Sequence, residues 1–216
     1  MTTEVILVHG LWYGPWAMAV LARRLRRAGH VVRRFAYHPT ASPVAVHARD
    51  LAQFTRQSHS TALHFVGHSM GGLVIMRMLA NEPALARGRV VLLGTPLQGS
   101  QVARRLLRLP AGAVLLGALA TDLCQAQPRW AEGREIGMIA GCKAFGLGRL
   151  LGRPGAGSDG TVALSEADAP GLSARVVLPV SHTGMLFSGQ VGQQVLGFLQ
   201  NGRFSAVGVA RGERLS

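Results

Sequence analysis

The sequence predicts an α/β fold, a mostly parallel sheet with helices on both faces, and three observations carry that expectation. Short apolar runs such as Val5-Ile6-Leu7-Val8 alternate with longer stretches of helical periodicity. The runs are continuously apolar, as strands covered on both faces require. Strand, helix and strand in succession form the pattern of right-handed crossovers on a parallel sheet.

In chain order, residues 5–8 read as a buried strand and 15–28 as a helix with proline in its first turn, where the missing N–H is harmless. Residues 31–35 are the next strand, and 43–57 a helix with apolar positions at Val46, Leu51 and Phe54. The pattern then repeats: strand 63–66, helix 70–81 stopped by Pro83, and strand 90–93. Residues 135–139 and 174–178 read as two further strands and 191–200 as the last helix. Between Thr95 and Trp130 the alternation lapses into a basic stretch, Arg104-Arg105-Leu-Leu-Arg108, and an Ala/Leu/Gly-rich run at 109–120. We expect a single domain over 1–202 carrying an insertion at about 97–130, and a loose tail from 203 to 216.

Composition excludes several classes. At 216 residues and 48% hydrophobic, the chain can bury a sizeable core in one domain and is not disordered. Cys124 and Cys142 form no CxxC pair and have no histidine at ligand spacing, so neither a structural metal nor a disulfide framework is expected. No metal or organic cofactor is indicated. The start has no basic segment before its short apolar run, and 109–120 falls short of the ~20 residues that cross a bilayer. A cytoplasmic location is expected. The formal charge is +13, and 22 of the 23 basic residues are arginine, six of them (Arg23, Arg24, Arg26, Arg27, Arg33 and Arg34) within a dozen positions. Such a face could make weak contact with an anionic membrane surface, but the bland reading is the solvated side of an amphipathic helix. Nucleic acid is not expected as a partner, because no stacking aromatics interleave the arginines.

The chemistry concentrates at Phe65-Val66-Gly67-His68-Ser69-Met70-Gly71-Gly72, a G-x-S-x-G match placed where a strand ends and a helix begins. A serine on so tight a turn is held in a strained conformation with its hydroxyl clear of the sheet, and the flanking glycines remove Cβ atoms that would collide. The helix that follows points its positive end at the same spot. Glycines in a strand-to-helix turn need no catalysis to explain them, but they do not explain the serine.

Together with Val8-His9-Gly10-Leu11 and Leu93-Gly94-Thr95-Pro96, this segment resembles the lipase and esterase branch of the alpha/beta-hydrolase superfamily. The resemblance covers most of the chain. It implies the alpha/beta-hydrolase fold, in a minimal form that lacks two customary first strands and carries a short lid-like insertion. It further implies a Ser-acid-His triad in that chain order, an oxyanion hole of two backbone amides, and acyl-bond hydrolysis through an acyl-enzyme.

In that order His182 is the base, because it is the one histidine that follows Ser69 beyond its immediate neighbours. His68 reads as a packed or hydrogen-bonding neighbour. Asp159, in Ser158-Asp159-Gly160-Thr161-Val162, resembles the family's acid loop, with Asp168 as the fallback. The oxyanion amides would be those of Leu11 and Met70. Gly10, Trp12, Tyr13, Trp16, Leu115 and Leu116 are candidates for a greasy acyl site, the insertion being either a partial cover or ordinary core. The reaction expected is cleavage of a carboxylic ester of a small molecule or lipid. Acyl transfer or thioester cleavage on the same triad, and a non-catalytic hydrolase-like binding protein, remain as alternatives.

Overall fold

The computed structural model describes residues 3–85, 87–125, 130, 133–145 and 157–205. Six strands form one all-parallel sheet, β1 (Thr3–Val8), β2 (Val31–Phe35), β3 (Ala62–His68), β4 (Val90–Leu93), β5 (Ile136–Gly141) and β6 (Ala174–Leu178). Their spatial order is β2-β1-β3-β4-β5-β6. The long helices are α1 (Ala19–Arg27), α2 (Val44–Thr55), α3 (Met70–Asn81) and a C-terminal helix, α7 (Gly189–Asn201). The expected helix 70–81 and the strands 90–93 and 174–178 fall on α3, β4 and β6. The expected helix at 15–28 divides into a 3-10 turn, Pro15–Met18, and α1.

Alternate side chains of each strand enter two cores. Ile6, Val8, Phe65 and Leu92 meet α2 and α3 on one face; Val5, Leu7, Val91 and Val176 meet α1 and α7 on the other. This double coverage is why residues 5–8 of β1 and the whole of β4 read as unbroken apolar runs, whereas the edge strands β2 and β6 carry Arg33, Arg34 and Arg175. The segment after β4 was expected as an insertion without assigned elements. It folds into three short helices, α4 (Gln101–Leu106), α5 (Gly112–Leu116) and α6 (Ala120–Cys124). Leu106, Leu116, Leu119 and Leu123 sink into the α2/α3 core while Val114 and Leu115 stay exposed, so the insertion is partly core and partly surface. Helices this short show little periodicity, which is why the pattern hid them. After 202, Phe204 stacks on Phe198 at 4.8 Å between ring centroids and Gln194 bonds the Ser205 backbone at both its amide and its carbonyl. Residues 206–216 of the expected tail lie outside the described residues.

The arginine cluster is mostly tied to backbone. Arg24 donates to the carbonyls of Phe187 and Ser188, Arg26 to that of Val32 and Arg34 to that of Pro15. Arg33 pairs with Glu4 and lies 3.8 Å over the Phe54 ring. The solvated helix face anticipated from the sequence is represented by the exposed Arg23 and Arg27.

Candidate active site

Because β1 lies between β2 and β3, the chain reverses its winding direction there, and the loops leaving β1 and β3 part around a crevice at the strands' carboxyl ends. His9-Gly10-Leu11 leaves β1 and Ser69 leaves β3 at this point. Ser69 has φ +55° and ψ −126°, a conformation costly for any residue with a Cβ. It is held by a hydrogen bond from its amide to the Leu93 carbonyl, 2.8 Å, and by the Gly72 amide on its own carbonyl, 3.0 Å. Glycine is required at position 10, where a Cβ would stand 2.9 Å from the Ser69 Cβ and 3.1 Å from the His68 carbonyl. That close approach brings Leu11 to the serine.

On the far side of the crevice, the His182 Nδ1 donates to Asp159 Oδ2 at 2.7 Å, with both side chains buried. The other carboxylate oxygen, Oδ1, accepts the amides of Thr161 (2.9 Å) and Val162 (2.7 Å), so the carboxylate is fixed on both sides. The His182 amide also donates to the Asp159 carbonyl at 2.9 Å. Gly94, at φ +54°, closes the third side: a Cβ there would lie 2.9 Å from Asp159 Oδ2 and 3.1 Å from His182 Nδ1. The fallback acid does not reach this place. Asp168 pairs with Arg175 at 2.8 Å near the surface, and Glu166 is buried on the amides of Gln101 and Ala163.

His68 is fully buried and its Nε2 donates to the His182 carbonyl at 3.0 Å. Burial first, and then the neighbouring His182, lower its pKa to about 3, so it is a neutral brace under the His182 loop. Tyr37 was not singled out from the sequence. Its hydroxyl donates to the His9 carbonyl at 2.6 Å and its ring stacks on His9 at 4.4 Å, fixing the loop that carries Gly10 and Leu11; burial pushes the phenol pKa up. No local spacing signals that contact, which spans 28 residues.

Ser69 and His182 open into one cavity of about 270 Å³. Leu11, Trp12, Tyr13 and Leu116 line it, joined by Val102, Ala103, Leu106 and Leu123 from the insertion. Leu115 does not. On a helix, residues one apart do not share a face, so burying Leu116 turns the Leu115 side chain outward, and only its carbonyl is engaged, by the Trp12 indole at 3.0 Å. Trp16 also lies outside the lining, and Gly10 acts through the Cβ it lacks. Trp12 itself has φ +61°, the other non-glycine residue with positive φ among those described. Met70, at the first position of α3, is buried beside Ser69, where a helix's leading amides have no intrahelical acceptor. Among the described residues no group of three or more His, Cys, Asp or Glu side chains could hold a metal ion.

The sheet, the serine turn after β3 and the histidine–aspartate pair after the last two strands define an α/β protein of the hydrolase kind. The chain belongs to the alpha/beta hydrolase family, whose sequence model matches residues 5–192. A carbendazim hydrolyzing esterase of Nocardioides sp. (strain SG-4G) is 34% identical over 79 residues, which is 32% of this chain and 33% of that relative. The fold is similar to the mature form of the Bacillus licheniformis lipase BlEst2, with a TM-score of 0.74 and 20% identity over 91% of this chain and 90% of that one. It is similar too to the RedJ thioesterase from the prodiginine biosynthetic pathway in Streptomyces coelicolor, TM-score 0.62 and 16% identity over 91% and 84%.

Proposed function

We propose that the protein is a serine hydrolase that cleaves carboxylic esters through an acyl-enzyme on Ser69. The observation that carries this reading is the buried 2.7 Å bond from His182 Nδ1 to Asp159 in the wall of the cavity that also holds Ser69. With Nδ1 committed to the carboxylate, Nε2 is the basic nitrogen and takes the Ser69 proton as Oγ attacks the ester carbon. The amides of Leu11 and Met70 receive the negative oxygen of the tetrahedral intermediate; losing one such donor typically costs about 10²–10³ in rate. Collapse breaks the bond to the alkoxy oxygen, which takes the proton back from His182 and leaves as the alcohol. Water then repeats the sequence on the acyl-serine and regenerates the hydroxyl.

The apolar side of the cavity, from Val102 to Leu123, takes the acyl chain of a small-molecule or lipid ester. The testing experiment is labelling with a serine-reactive fluorophosphonate followed by mass mapping. A label on Ser69, absent in Ser69→Ala, is the expected result; no label, or a label elsewhere, sinks the reading.

A further inference from the structure

A second cavity, of about 600 Å³, opens at the amino ends of the strands, the end of the sheet away from Ser69. His30, His64, Arg87, Arg89, Glu135 and Leu199 are among its walls. Its floor is held by specific contacts. The segment before β4 lies along β3, with the Leu63 and Phe65 amides donating to the Arg87 and Arg89 carbonyls at 3.0 Å each. A Cβ at position 88 would collide with the Leu63 carbonyl, so only glycine permits that approach. Arg134 clamps the same place, donating to the Leu63 and Gly88 carbonyls at 3.2 Å each.

Hydrogen-bond donors are left over in this cavity, while the acceptors are spent. His64 is 6% exposed, and its Nδ1 accepts the Arg89 amide at 2.9 Å. An amide only donates, so the proton of the neutral ring stands on Nε2, and that N–H has no acceptor among the described residues. Burial first, and then the charges of His30, Arg89 and Arg134, lower the His64 pKa to about 4, which keeps the ring an uncharged donor at neutral pH. His30 stands edge-on to it, 6.4 Å between ring centroids, with its Nδ1 3.3 Å from Thr3 Oγ1 and its Nε2 without a partner. The Arg87 side chain is exposed on the cavity wall and pairs with no carboxylate among the described residues. Glu135, by contrast, is taken by Arg89 at 2.5 Å. The Leu199 and Gln200 carbonyls at the end of α7 accept Arg89 Nη1 at 2.9 and 3.1 Å. A cation entering here would meet two guanidinium groups, whereas an anion would meet unused donors.

We propose that this cavity binds the oxyanion group, phosphate or carboxylate, of a small organic molecule, with Arg87 and the His64 Nε2–H as its donors and the organic part against Ala62 and Leu199. A guanidinium offers paired donors and His64 a single fixed one, a set that matches an anion with several oxygens. The volume lies within the roughly 300–1,000 Å³ usual for small-molecule sites and leaves room for more than a bare ion. The His64 side chain is nine-tenths buried on the cavity wall, so its free N–H is met only by what enters the cavity. The site is separate from Ser69 and does not rest on the esterase reading.

The test titrates phenyl phosphate, inorganic phosphate, benzoate and acetate into the protein at about 0.15 M salt, where long-range attraction is screened. Binding is read by calorimetry and by heteronuclear spectra of the histidine rings, the His64 signal being the one missing from His64→Gln. We expect saturable binding of phenyl phosphate or benzoate, about fivefold or more tighter than the bare anion with the same head group. The His64 Nε2–H resonance should move with saturation while the His182 signals stay in place. Arg87→Ala, a change at an exposed side chain, should weaken binding by about tenfold or more and leave hydrolysis of p-nitrophenyl acetate unchanged. Arg108→Ala removes the same charge from the insertion and should weaken binding by less than about twofold. Saturation by phenyl phosphate alone supports the site as one for phosphoryl groups, and by benzoate alone as one for carboxylates. Absence of saturable binding, an unmoved His64 resonance, equal losses in Arg87→Ala and Arg108→Ala, or aromatic ligands no tighter than the bare anions overturns the proposal. If the cavity binds while fluorophosphonate labelling fails, this site stands and the esterase reading falls.

Discussion

Ser69, His182 and Asp159 are held by different physical means, and each predicts its own response to substitution. Ser69 sits at φ +55° because the Leu93 and Gly72 hydrogen bonds and the neighbouring glycines over-determine the turn. Ser69→Ala should keep the fold, measured by thermal unfolding, and remove turnover of p-nitrophenyl esters; retained turnover would refute the nucleophile. Asp159 accepts three hydrogen bonds on two oxygens, and an amide in its place offers His182 the wrong tautomer. Asp159→Asn should lower kcat/KM by several orders of magnitude, about 10⁴ being the loss for such a change in another triad. Asp168→Asn removes an exposed ion pair with Arg175, an interaction typically contributing about 0–1 kcal/mol, and should leave activity near wild type. The reverse ranking would return the acid to Asp168. His68→Ala loses a brace to the His182 carbonyl while leaving the Asp159–His182 pair in place, so its effect should be smaller than that of His182→Ala.

At the scale of elements, the short helices α4–α6 determine what the cavity can hold. Val102, Ala103, Leu106, Leu116 and Leu123 line its apolar side, and each methylene buried against them should add up to ~0.8 kcal/mol of binding. Across a series of p-nitrophenyl esters, kcat/KM should rise from acetyl to medium-length chains and then level off. Ala103→Leu, which fills space from the wall, should move the optimum to shorter chains; an unmoved optimum would place the acyl chain elsewhere. These same helices mark the boundary of what was legible in the sequence. The inner strands and the long helices are legible because two covered faces impose apolar runs and 12 or 13 residues of α2, α3 and α7 display full periodicity. The five or six residues of α4, α5 and α6 are too few to do so. Hence the sequence makes both Leu115 and Leu116 candidates for the acyl site, although one helical step separates an inward from an outward side chain. Ser69 and Asp159 are proposed because their segments resemble family motifs, and His182 because it is the one histidine that follows Ser69 in the chain. Tyr37, Thr183 and the space reserved by Gly94 could not be named from the sequence, since long-range contacts with no local pattern place them at the site.

For the molecule as a whole, histidines buried at both ends of the sheet tie stability to pH. His64, 6% exposed at the amino ends of the strands, has its pKa lowered to about 4 by burial and then by the charges of His30, Arg89 and Arg134. His68, fully buried at the carboxyl ends, is lowered to about 3, and burial lowers His9 and His30 as well. In the unfolded chain all four titrate near 6.5. Below that pH the unfolded state binds more protons than the native state, so the slope of stability with pH is positive. The contribution is complete above pH 6.5 and is lost as pH falls toward 4 for His64 and toward 3 for His68. By pH 5 a histidine kept neutral in the fold costs about 2 kcal/mol of stability. The net charge of +13 also disfavours the compact state as more protons bind, but this repulsion is spread over the surface and is screened within about 8 Å at physiological salt. A single substitution separates the two. His64→Gln keeps an oxygen that can accept the Arg89 amide, as His64 Nδ1 does at 2.9 Å, and removes the titrating group. Urea unfolding at pH 7.5 and 5.0 should show a smaller loss of stability in the variant than in the wild type, by about 2 kcal/mol. Because burial is the first cause of the His64 shift, that difference should persist when salt is raised to 0.5 M; equal losses in both proteins, or a difference abolished by salt, would show that surface repulsion alone governs acid unfolding.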